Sequence, residues 1–453
     1  MTKVQLVNLV ASKEDFLDDR WPVPLNLLWP GTYLKEFGYD VEILDTNIIS
    51  LQEAIDKIDA PMVGISFYAT SAYLLDKVAR EAKDKGATVV VGGQAATPLA
   101  RQILTGSTDI DAVVLGDGER ALLNIMKKVD GGSGDFAGIP NVAYRNGEDI
   151  VFGPSVLMDL TSLPMPDRTL KGIDMERYIS NFADTNTDRC RQDVRATNAY
   201  MKKGCPRRID DRGCSFCARV DRGLREKSAL QAYEEYKYLN REFDINYIYD
   251  DSDSWVGKPW MRSLLDLYNR FGSLDVKFRV YADVRDINRE NAEMMRELGV
   301  DAVLVGIESG DESVLRFNGK PMTKERIVKA AKILGEVGIK LCDAYVLGLI
   351  GESKKSIERT ISLAKQIENY CERQIAYWNV IMPLPGSPIW NNMMKVPSLY
   401  EKYGSQYNID IEEVRRDYLH HFCNLGKDGD HYLTNICNHL QSSQKIPLRK
   451  YIR

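Results

Sequence analysis

Three cysteines near the middle of the chain have the spacing of a metal-binding loop. Cys205, Cys214 and Cys217 lie within thirteen residues, in the segment KGCPRRIDDRGCSFCAR at 203–219. Cys214 and Cys217 form a C-x-x-C pair, and Cys205 follows a strand-like run at 197–201. Thiolates are soft ligands that suit iron–sulfur clusters. A [4Fe–4S] cluster with three protein ligands keeps one iron open to a further ligand, and the spacing predicts such a cluster.

A structural zinc site is the alternative interpretation of these cysteines. Structural zinc usually has four ligands. The segment contains no histidine and no fourth cysteine, and the nearest further cysteine, Cys190, lies fifteen residues upstream of Cys205. The set of three thiolates therefore favours the cluster over zinc.

Composition restricts the class of protein. The 453 residues leave room for two or three domains. The net charge is −5 and no basic tract is present, so a nucleic-acid partner is not expected. No apolar run approaches transmembrane length, so no membrane partner is expected. Free cysteines without a secretory signal predict a cytoplasmic location.

The first 130 residues alternate short apolar runs with amphipathic stretches. Strand-like runs occupy 4–7, 41–44, 62–66, 88–91 and 112–115, and helical patterns occupy 71–85 and 119–128. This alternation predicts an α/β fold with a doubly wound parallel sheet.

Small and polar residues follow the strands of this sheet. Ligands of such sheets bind beyond the carboxyl ends of the strands, and glycine lets a ligand approach the backbone closely. Each residue alone is as compatible with plain loop chemistry, but together they predict a cofactor site. The candidates are Ser66, Gly92, Gly93, Gly116 and Glu119.

The second half of the chain repeats a strand–helix pattern. Strand-like runs occupy 197–201, 245–249, 278–282, 302–307, 341–347 and 376–381, separated by helical patterns at 226–242, 258–271, 288–298, 324–337 and 354–367. Six such units predict a partial (β/α)6 barrel, in which chemistry collects at the carboxyl ends of the strands. Charged and small residues at these ends form the candidate site, although any one carboxylate could instead cap a helix. They are Asp250, Asp251, Asp283, Arg285, Glu308, Ser309 and Gly348.

The remaining segments connect or follow these two parts. A hairpin is predicted at 141–152 with its turn at 145–148, and a proline-punctuated connector at 159–167. Helices are predicted at 393–400 and 411–423. The expected organisation is a first domain at 1–135, a hairpin and linker at 136–190, a barrel at 191–388 and a helical C-terminal segment at 389–453.

Two family resemblances extend this interpretation. Gly204-Cys205-Pro206, CSFC at 214–217, VGIESG at 305–310, GLIGE at 348–352 and PLPGSP at 383–388 together resemble radical SAM enzymes over about 195–390. In the first half, GYDVEILD at 38–45, GIS at 64–66, VGG at 91–93 and LGDGE at 115–119 resemble the cobalamin-binding domain found in front of many such enzymes, over about 1–130.

The resemblance implies the cofactors and the roles of the site residues. A [4Fe–4S] cluster would chelate the amino and carboxylate groups of S-adenosylmethionine (SAM), and electron transfer would cleave a C–S bond, usually giving the 5′-deoxyadenosyl radical. The implied electron donor is a flavodoxin- or ferredoxin-type protein. Glu308 and Ser309 would bond to the ribose or the amino-acid part of SAM. Phe216 would lie near the adenine, with Arg285 and Gly348 as further cofactor-binding candidates. Asp250, Asp251 and Tyr281 are the catalytic candidates.

Two departures from the family pattern leave alternatives open. The cysteine spacing is C-x8-C-x2-C instead of the common C-x3-C-x2-C, which leaves open which C–S bond of SAM breaks. All four histidines lie after residue 419, so the first domain lacks the histidine that many cobalamin domains place beneath cobalt. That domain either binds cobalamin without a histidine ligand or serves as a scaffold.

Three classes of function follow. The first is cobalamin-dependent methyl transfer to a small metabolite in secondary metabolism. The second is a radical SAM reaction without cobalamin, such as dehydration, epimerisation, rearrangement or transfer of a 3-amino-3-carboxypropyl group. The third is a non-catalytic cluster sensor, which leaves the charged residues at the strand ends unexplained.

Overall fold

The computed structural model describes residues 1–10, 22–185, 194–208, 213–221, 223–426 and 428–443. The chain forms two compact units, and each takes residues from separate parts of the sequence. The first unit comprises Met1–Tyr178, Cys217–Asp221 and Leu384–Ile411. The second comprises Ile179–Phe216, Arg222–Pro383 and Glu412–Arg453.

A seven-stranded sheet forms the centre of the first unit, in the order β2-β1-β3-β4-β5-β6-β7. Strands β1 to β5 are parallel, and β6 and β7 continue the sheet as an antiparallel hairpin. The elements are β1 (Lys3–Leu9), α1 (Leu25–Glu36), β2 (Asp40–Asp45), α2 (Leu51–Asp56), β3 (Met62–Phe67), α3 (Leu75–Asp84), β4 (Thr88–Gly92), α4 (Ala96–Gly106), β5 (Ala112–Val114), α5 (Glu119–Asp130), β6 (Val142–Asn146) and β7 (Asp149–Phe152).

Burial on both faces explains the apolar runs of this sheet. Every residue of β3 is buried, as expected for a central parallel strand with helices on both sides. The buried face of α3 carries Val78, Ala79 and Ala82 into the same core. The five predicted strands and the hairpin are therefore confirmed.

A residue from far along the chain completes the core of the first unit. Tyr407 belongs to the hydrophobic cluster around β1, β3 and β4, and only 8% of its surface is exposed. Its ring packs against Gly106, where a Cβ atom would lie 2.7 Å from Tyr407 Cε1. The Tyr407 hydroxyl donates a hydrogen bond to Asp76. Residues beyond 400 thus belong to the core of this unit.

A six-stranded parallel sheet forms the centre of the second unit, in the order β8-β11-β12-β13-β14-β15. A two-residue ribbon of β9 and β10 flanks the cysteine loop. After α6 (Met175–Thr185), the elements are β8 (Ala196–Ala199), β9 (Lys202–Lys203), β10 (Arg225–Glu226), α7 (Ala229–Phe243), β11 (Tyr247–Asp250), α8 (Lys258–Phe271), β12 (Lys277–Ala282), α9 (Arg289–Glu297), β13 (Val300–Glu308), α10 (Glu312–Phe317), α11 (Lys324–Val337), β14 (Lys340–Leu347), α12 (Lys354–Ile367) and β15 (Arg373–Val380).

A contact between distant strands shows that this sheet is curled. Arg279 of β12 donates to the hydroxyl of Tyr377 in β15 at 2.7 Å. Two strands separate β12 from β15, a distance of about 14 Å in a flat sheet. The two side chains therefore lie on the same face, and their direct contact indicates that the sheet curls towards that face. Phe278 points the other way, with its ring 4.8 Å from that of Tyr236 in α7. The predicted partial barrel is confirmed.

Four helices end the described chain: α13 (Pro388–Met393), α14 (Pro397–Tyr403), α15 (Ile411–Phe422) and α16 (Gly429–Ser443). The prediction of one helix over 393–400 is wrong, because α13 ends at Met393 and Pro397 begins α14. Proline lacks the N–H that a continuous helix needs and disfavours helical backbone in the residue before it. The helix predicted at 411–423 is confirmed. No helix in the described part of the chain combines the length and the hydropathy needed to cross a bilayer.

Candidate functional site

The cysteine loop of the second unit begins after a position that only glycine can occupy. Gly204, immediately before Cys205, has φ +90°, and a Cβ atom there would collide with the carbonyl oxygen of Gly223. Cys205 and Cys214 belong to the second unit and Cys217 to the first. All three cysteines are half-buried, and none forms a disulfide with another described residue. Their assignment to one cluster stays a prediction from their spacing.

The residues after β11 hold the first arm of this loop. Asp253 accepts hydrogen bonds from the Gly204 amide at 2.7 Å and the Tyr200 hydroxyl at 3.0 Å. Ser252 accepts from two backbone amides of the arm, those of residues 201 and 202, at 2.9 Å each. The sequence interpretation selected neither Asp253 nor Ser252. Their only signal was the polar run DDSD at 250–253, which directly follows a strand.

Asp250, a predicted catalytic residue, lies beneath this arm and not at its surface. It is fully buried and accepts from the Tyr236 hydroxyl at 2.5 Å and the Ser252 amide at 3.0 Å. Burial raises the pKa of Asp250 above its ordinary value, although these hydrogen bonds act against the shift. The structure thus gives Asp250 the geometry of a support for Ser252.

Two buried ion pairs flank the cysteines of the second unit. Arg207 forms an ion pair with Asp283, and Lys320 contacts Glu308 with Nζ 2.7 Å from Oε1. Burial alone would lower the pKa of both cations. The charge of each paired carboxylate, together with that of the Cys214 sulfur, instead raises the pKa of both cations. Both cations therefore stay charged near Cys214, where they stabilise a thiolate.

Asp283 and Arg285 lie together at the end of β12. Arg285 donates to Asp283 with Nε 3.0 Å from Oδ1. Burial would raise the pKa of Asp283, but the hydrogen bonds from Arg207 and Arg285 outweigh it and hold the pKa well below its ordinary value. Asp283 is therefore a carboxylate shared by two arginines, and Arg285, a predicted cofactor-binding residue, is held at the rim by it.

Glu308 ends β13 in a strained backbone conformation. Its φ is +66°, a region that residues with side chains rarely adopt, and the pairing of β13 with β14 shifts register between Gly306 and Glu308. Such strain and such bulges cluster at functional sites. The carboxylate is nearly buried and already paired with Lys320, which also donates to the Gly306 carbonyl at 2.7 Å. The ion pair with Lys320 thus holds the Glu308 carboxylate in one position near the cysteine loop.

Two other predicted cofactor-binding residues make close contacts with neighbouring protein groups. Ser309 is buried, with its hydroxyl 3.2 Å from that of Thr360 in α12. At Gly348, which has φ +95°, a Cβ atom would lie 2.7–3.0 Å from three apolar side chains, those of Ile381, Leu419 and Leu433. Both residues therefore fix the ends of strands, and their predicted contact with SAM stays a prediction.

The remaining predicted residues of the second unit are partly exposed. Side chains along β12 point alternately to the two faces of the sheet, so Tyr281 lies on the face opposite Phe278, which is the concave face that also carries Arg279. Asp251 follows β11 and donates its amide to the Ala199 carbonyl at 2.8 Å. Phe216 is half-buried inside the C-x-x-C pair. The structure thus places Tyr281 and Asp251 at neighbouring strand ends of the barrel.

The predicted residues of the first unit gather at the carboxyl ends of β3, β4 and β5. Gly93 has φ +99°, and a Cβ atom there would lie 2.9 Å from both the Phe67 carbonyl and the Ser66 hydroxyl. Ser66 accepts a hydrogen bond from Asn26 of α1 at 2.8 Å, a partner that the sequence interpretation missed. Gly116, with φ +68°, has no atom within 4 Å of its would-be Cβ position.

Glu119, in the first turn of α5, adds an unsatisfied oxygen to this unit. The residue is 2% exposed, and its Oε2 atom has no hydrogen-bond partner among the described residues. Together with the Ser66 hydroxyl and the glycine backbone, this oxygen suits a ligand with many amide groups. The strand ends therefore fit the amide arms of a corrinoid, with no histidine available before residue 420.

The chemistry of the donor set in the cysteine loop suits the cluster that the sequence predicts, although the described residues contain no group of three side chains already gathered to hold a metal ion. Three thiols with no fourth cysteine in the loop supply soft ligands and leave one coordination site of a four-iron cluster open. Arg207 and Lys320 supply the positive charge that thiolate ligands need. Cys205, Cys214 and Cys217 would hold the cluster, which would supply the electron that cleaves SAM.

Comparison with known protein families agrees with both halves of this description. Residues 22–126 match the B12 binding domain family, and residues 200–364 match the Radical SAM superfamily. The first match covers the strand ends with Ser66, Gly93 and Gly116. The second covers the cysteine loop and the strain at Glu308.

Curated relatives share about a quarter of their residues with this chain. The "Uncharacterized methyltransferase PH0819" of Pyrococcus horikoshii is 25% identical over 379 residues, which are 81% of this chain and 77% of the relative. The "Anaerobic magnesium-protoporphyrin IX monomethyl ester cyclase" of Cereibacter sphaeroides is 24% identical over 405 residues, 84% of this chain and 62% of the relative. The chain thus spans less than two thirds of that cyclase.

Two solved structures share the fold. The radical S-adenosylmethionine methyltransferase TsrM from Kitasatospora setae, with cobalamin and a [4Fe–4S] cluster bound, has a TM-score of 0.70 at 17% identity, over 87% of this chain and 76% of that one. The cobalamin-dependent S-adenosylmethionine radical enzyme OxsB has a TM-score of 0.69 at 16% identity, over 89% and 62%. At such identities the likeness shows the fold alone.

The chain therefore carries a B12-binding domain followed by a radical SAM domain. It is a radical SAM enzyme, and that class of protein works with a [4Fe–4S] cluster and SAM.

Proposed function

We propose that this enzyme uses cobalamin and SAM to transfer a methyl group to a small metabolite. The observation that carries the proposal is the presence, in one chain, of a strand-end site suited to a corrinoid and a cysteine loop flanked by two buried cations. A first SAM would supply the methyl group and leave as S-adenosylhomocysteine. A second, cleaved with one electron, would give methionine and the 5′-deoxyadenosyl radical that removes hydrogen from the substrate.

The residues of this chain would hold and shield the reactants. Cys205, Cys214 and Cys217 would ligate the cluster, and Glu308 would accept hydrogen bonds from the ribose hydroxyls of SAM. Tyr281 and Asp251, at neighbouring strand ends, would contact the substrate. In the first unit, Ser66, Gly92, Gly93, Gly116 and Glu119 would cradle the corrinoid through backbone groups, one hydroxyl and one carboxylate. The electron would come from a flavodoxin- or ferredoxin-type donor.

A radical SAM reaction without methyl transfer is the second candidate. The relative from Cereibacter sphaeroides is named as a cyclase, not as a methyltransferase, although it matches 84% of this chain. The absence of histidine before residue 420 is compatible with this alternative, because the first domain could then be a scaffold.

The products of SAM separate the two candidates. Protein expressed with cobalamin and reconstituted with iron and sulfide would be incubated with reductant and SAM carrying a deuterated methyl group. Methyl transfer predicts that S-adenosylhomocysteine accompanies 5′-deoxyadenosine, and that the cobalamin-free protein forms only the latter. Formation of 5′-deoxyadenosine alone, at equal rates with and without cobalamin, would favour the second candidate. The Cys205→Ala variant is the control that should form neither product.

A further inference from the structure

Asn318 is a buried amide that joins three parts of the second unit. It follows α10 and is fully buried. Its Nδ2 group donates to the Val314 carbonyl at 2.8 Å and to the Ile350 carbonyl at 3.0 Å. Its Oδ1 atom accepts from the Ser215 hydroxyl at 2.6 Å and from the Ile350 amide at 3.3 Å. Both donors and both lone pairs of the amide are therefore in use.

The Ser215 contact is the important one, because Ser215 lies between Cys214 and Cys217. The Ser215 amide also donates to the backbone carbonyl of Asn318 at 2.9 Å, so two hydrogen bonds connect the same two residues. The next residue, Gly319, has φ +70°, and a Cβ atom there would collide with the Gly213 carbonyl oxygen. The segment after α10 thus lies directly against the cysteine loop.

Ile350 connects this junction to the end of β14. The turn at 348–352 is held from the other side by Glu352, whose carboxylate accepts from the Gly348 and Leu349 amides. Asn318 therefore connects the turn after β14 to Ser215 through hydrogen bonds to both. The first arm of the loop has its own anchor, Asp253, in the loop after a different strand, β11.

We propose that Asn318 is a positioning residue for the cluster: it fixes the C-x-x-C arm of the loop against the ends of β13 and β14. The proposal rests on the proposed function, in which Cys214 and Cys217 are cluster ligands. Two thiolates that must meet one iron–sulfur cube tolerate little movement, and the two bonds to Ser215 restrict that arm. No charged or apolar side chain of similar size can form the four hydrogen bonds that the buried Asn318 amide forms.

Hydrogen exchange tests the proposal without any cofactor. In the metal-free protein, Asn318→Ala should increase exchange of the peptide around 213–217 about tenfold or more, because a buried hydrogen-bond network is lost. Ser215→Ala, which removes only the hydroxyl bond, should give a smaller increase. The double variant should exchange no faster than Asn318→Ala alone, because the two residues share one interaction.

The loaded protein gives a second readout. Reconstituted Asn318→Ala should bind less iron, and the electron paramagnetic resonance signal of its reduced cluster should be broadened and respond less to SAM. The matched control is Asn291→Ala, which also removes a nearly buried amide of the second unit, but one that donates to the Asp286 carbonyl. This control should lose thermal stability and keep both the exchange of the loop and the cluster signal.

The outcomes distinguish a failure of the Asn318 role from a failure of the proposed function. Wild-type exchange and a wild-type cluster signal in both Asn318→Ala and Ser215→Ala would overturn the role of Asn318. A wild-type protein that binds no iron would instead overturn the proposed function, while the exchange data on the metal-free protein would still test the Asn318 contact. Should Asn318→Ala fail to fold, the milder Ser215→Ala variant carries the same test.

Discussion

At the scale of single residues, the charged side chains beside the cysteine loop form ion pairs with one another. Glu308 is paired with Lys320, and Asp283 with Arg207, both in buried surroundings. Removing one member of a buried ion pair costs more than the pair contributes, because the other charge is left uncompensated. The carboxylates at these strand ends are therefore suited to hold fixed positions.

Glu308→Gln should weaken SAM binding and leave the cluster in place. The change removes a charged acceptor for the ribose hydroxyls and leaves Lys320 without its counter-charge. Hydrogen bonds to charged groups contribute about 1.5–3 kcal/mol, so the affinity should fall at least about tenfold. Equilibrium binding of SAM to the reconstituted protein measures this. Glu325→Gln, at an exposed position in α11, is the control, and unchanged SAM affinity in Glu308→Gln would mean that Glu308 has another role.

Cys205→Ala should remove most of the cluster iron and all reductive cleavage of SAM. A [4Fe–4S] cluster with two protein ligands is not stably held, since the remaining irons are exposed to water and chelators. Iron analysis and 5′-deoxyadenosine formation are the measurements. Cys371→Ala is the matched control, because that buried thiol instead contacts the Ile339 carbonyl at 3.2 Å. Full iron content in Cys205→Ala would show that the ligand set is wrong.

At the scale of elements, the loops after three of the six barrel strands carry polar side chains that bind backbone groups near the strand ends. Ser252 and Asp253 act after β11, Asp283 after β12, and Glu352 after β14. Glu352 is fully buried, and burial raises its pKa to about 7, although the hydrogen bonds from Gly348 and Leu349 act against this. The turn after β14 is thus held by a carboxyl group that titrates near neutral pH.

This titration predicts a pH-dependent stability. Between its ordinary pKa of 4.5 and about 7, folded Glu352 keeps a proton that the unfolded chain has lost. The free energy of unfolding should therefore fall as the pH rises through this window, by up to about 3 kcal/mol, and be independent of this group below it. In Glu352→Gln the contribution of this group should be absent, so the fall should be smaller than in the wild type. Thermal unfolding of the metal-free protein at about pH 5 and about pH 7.5 measures it, with the exposed Glu358→Gln as control. A wild-type pH dependence in Glu352→Gln would refute the assignment.

The elements themselves could be predicted from the sequence, because apolar periodicity fixes strands and helices locally. Three predicted helices, 258–271, 324–337 and 354–367, have the observed bounds. The face of the sheet on which the Asp250 side chain lies could not be predicted. The three residues before it in β11 are all buried, so the strand shows no alternation of buried and exposed positions. Asn318 was missed because its partner, Ser215, lies more than one hundred residues away in sequence. Long-range pairing of this kind leaves no local signal.

At the scale of the whole molecule, corrinoid binding should be separable from cluster binding. Gly116→Leu would place a side chain in open space at the strand ends of the first unit, where the corrinoid is proposed to bind. It should reduce corrinoid absorbance after cobalamin-replete expression and leave cluster iron unchanged. Gly86→Leu is a matched control, since Gly86 also has a positive φ and no neighbouring atoms within 4 Å, but follows α3. Equal corrinoid content in both variants would remove Gly116 from the site.

The packing of Tyr407 into the core of the first unit has a consequence for biosynthesis. A ribosome making this chain has finished the B12-binding sequence long before it reaches residue 407, yet that core is complete only when Tyr407 arrives. The nascent first unit must therefore wait, with apolar surface near Gly106 uncovered, until nearly nine tenths of the protein has been made. Gene fragments cut between the two family matches should accordingly yield aggregating first halves. Folding of the first unit thus depends on a residue that follows the radical SAM sequence in the chain.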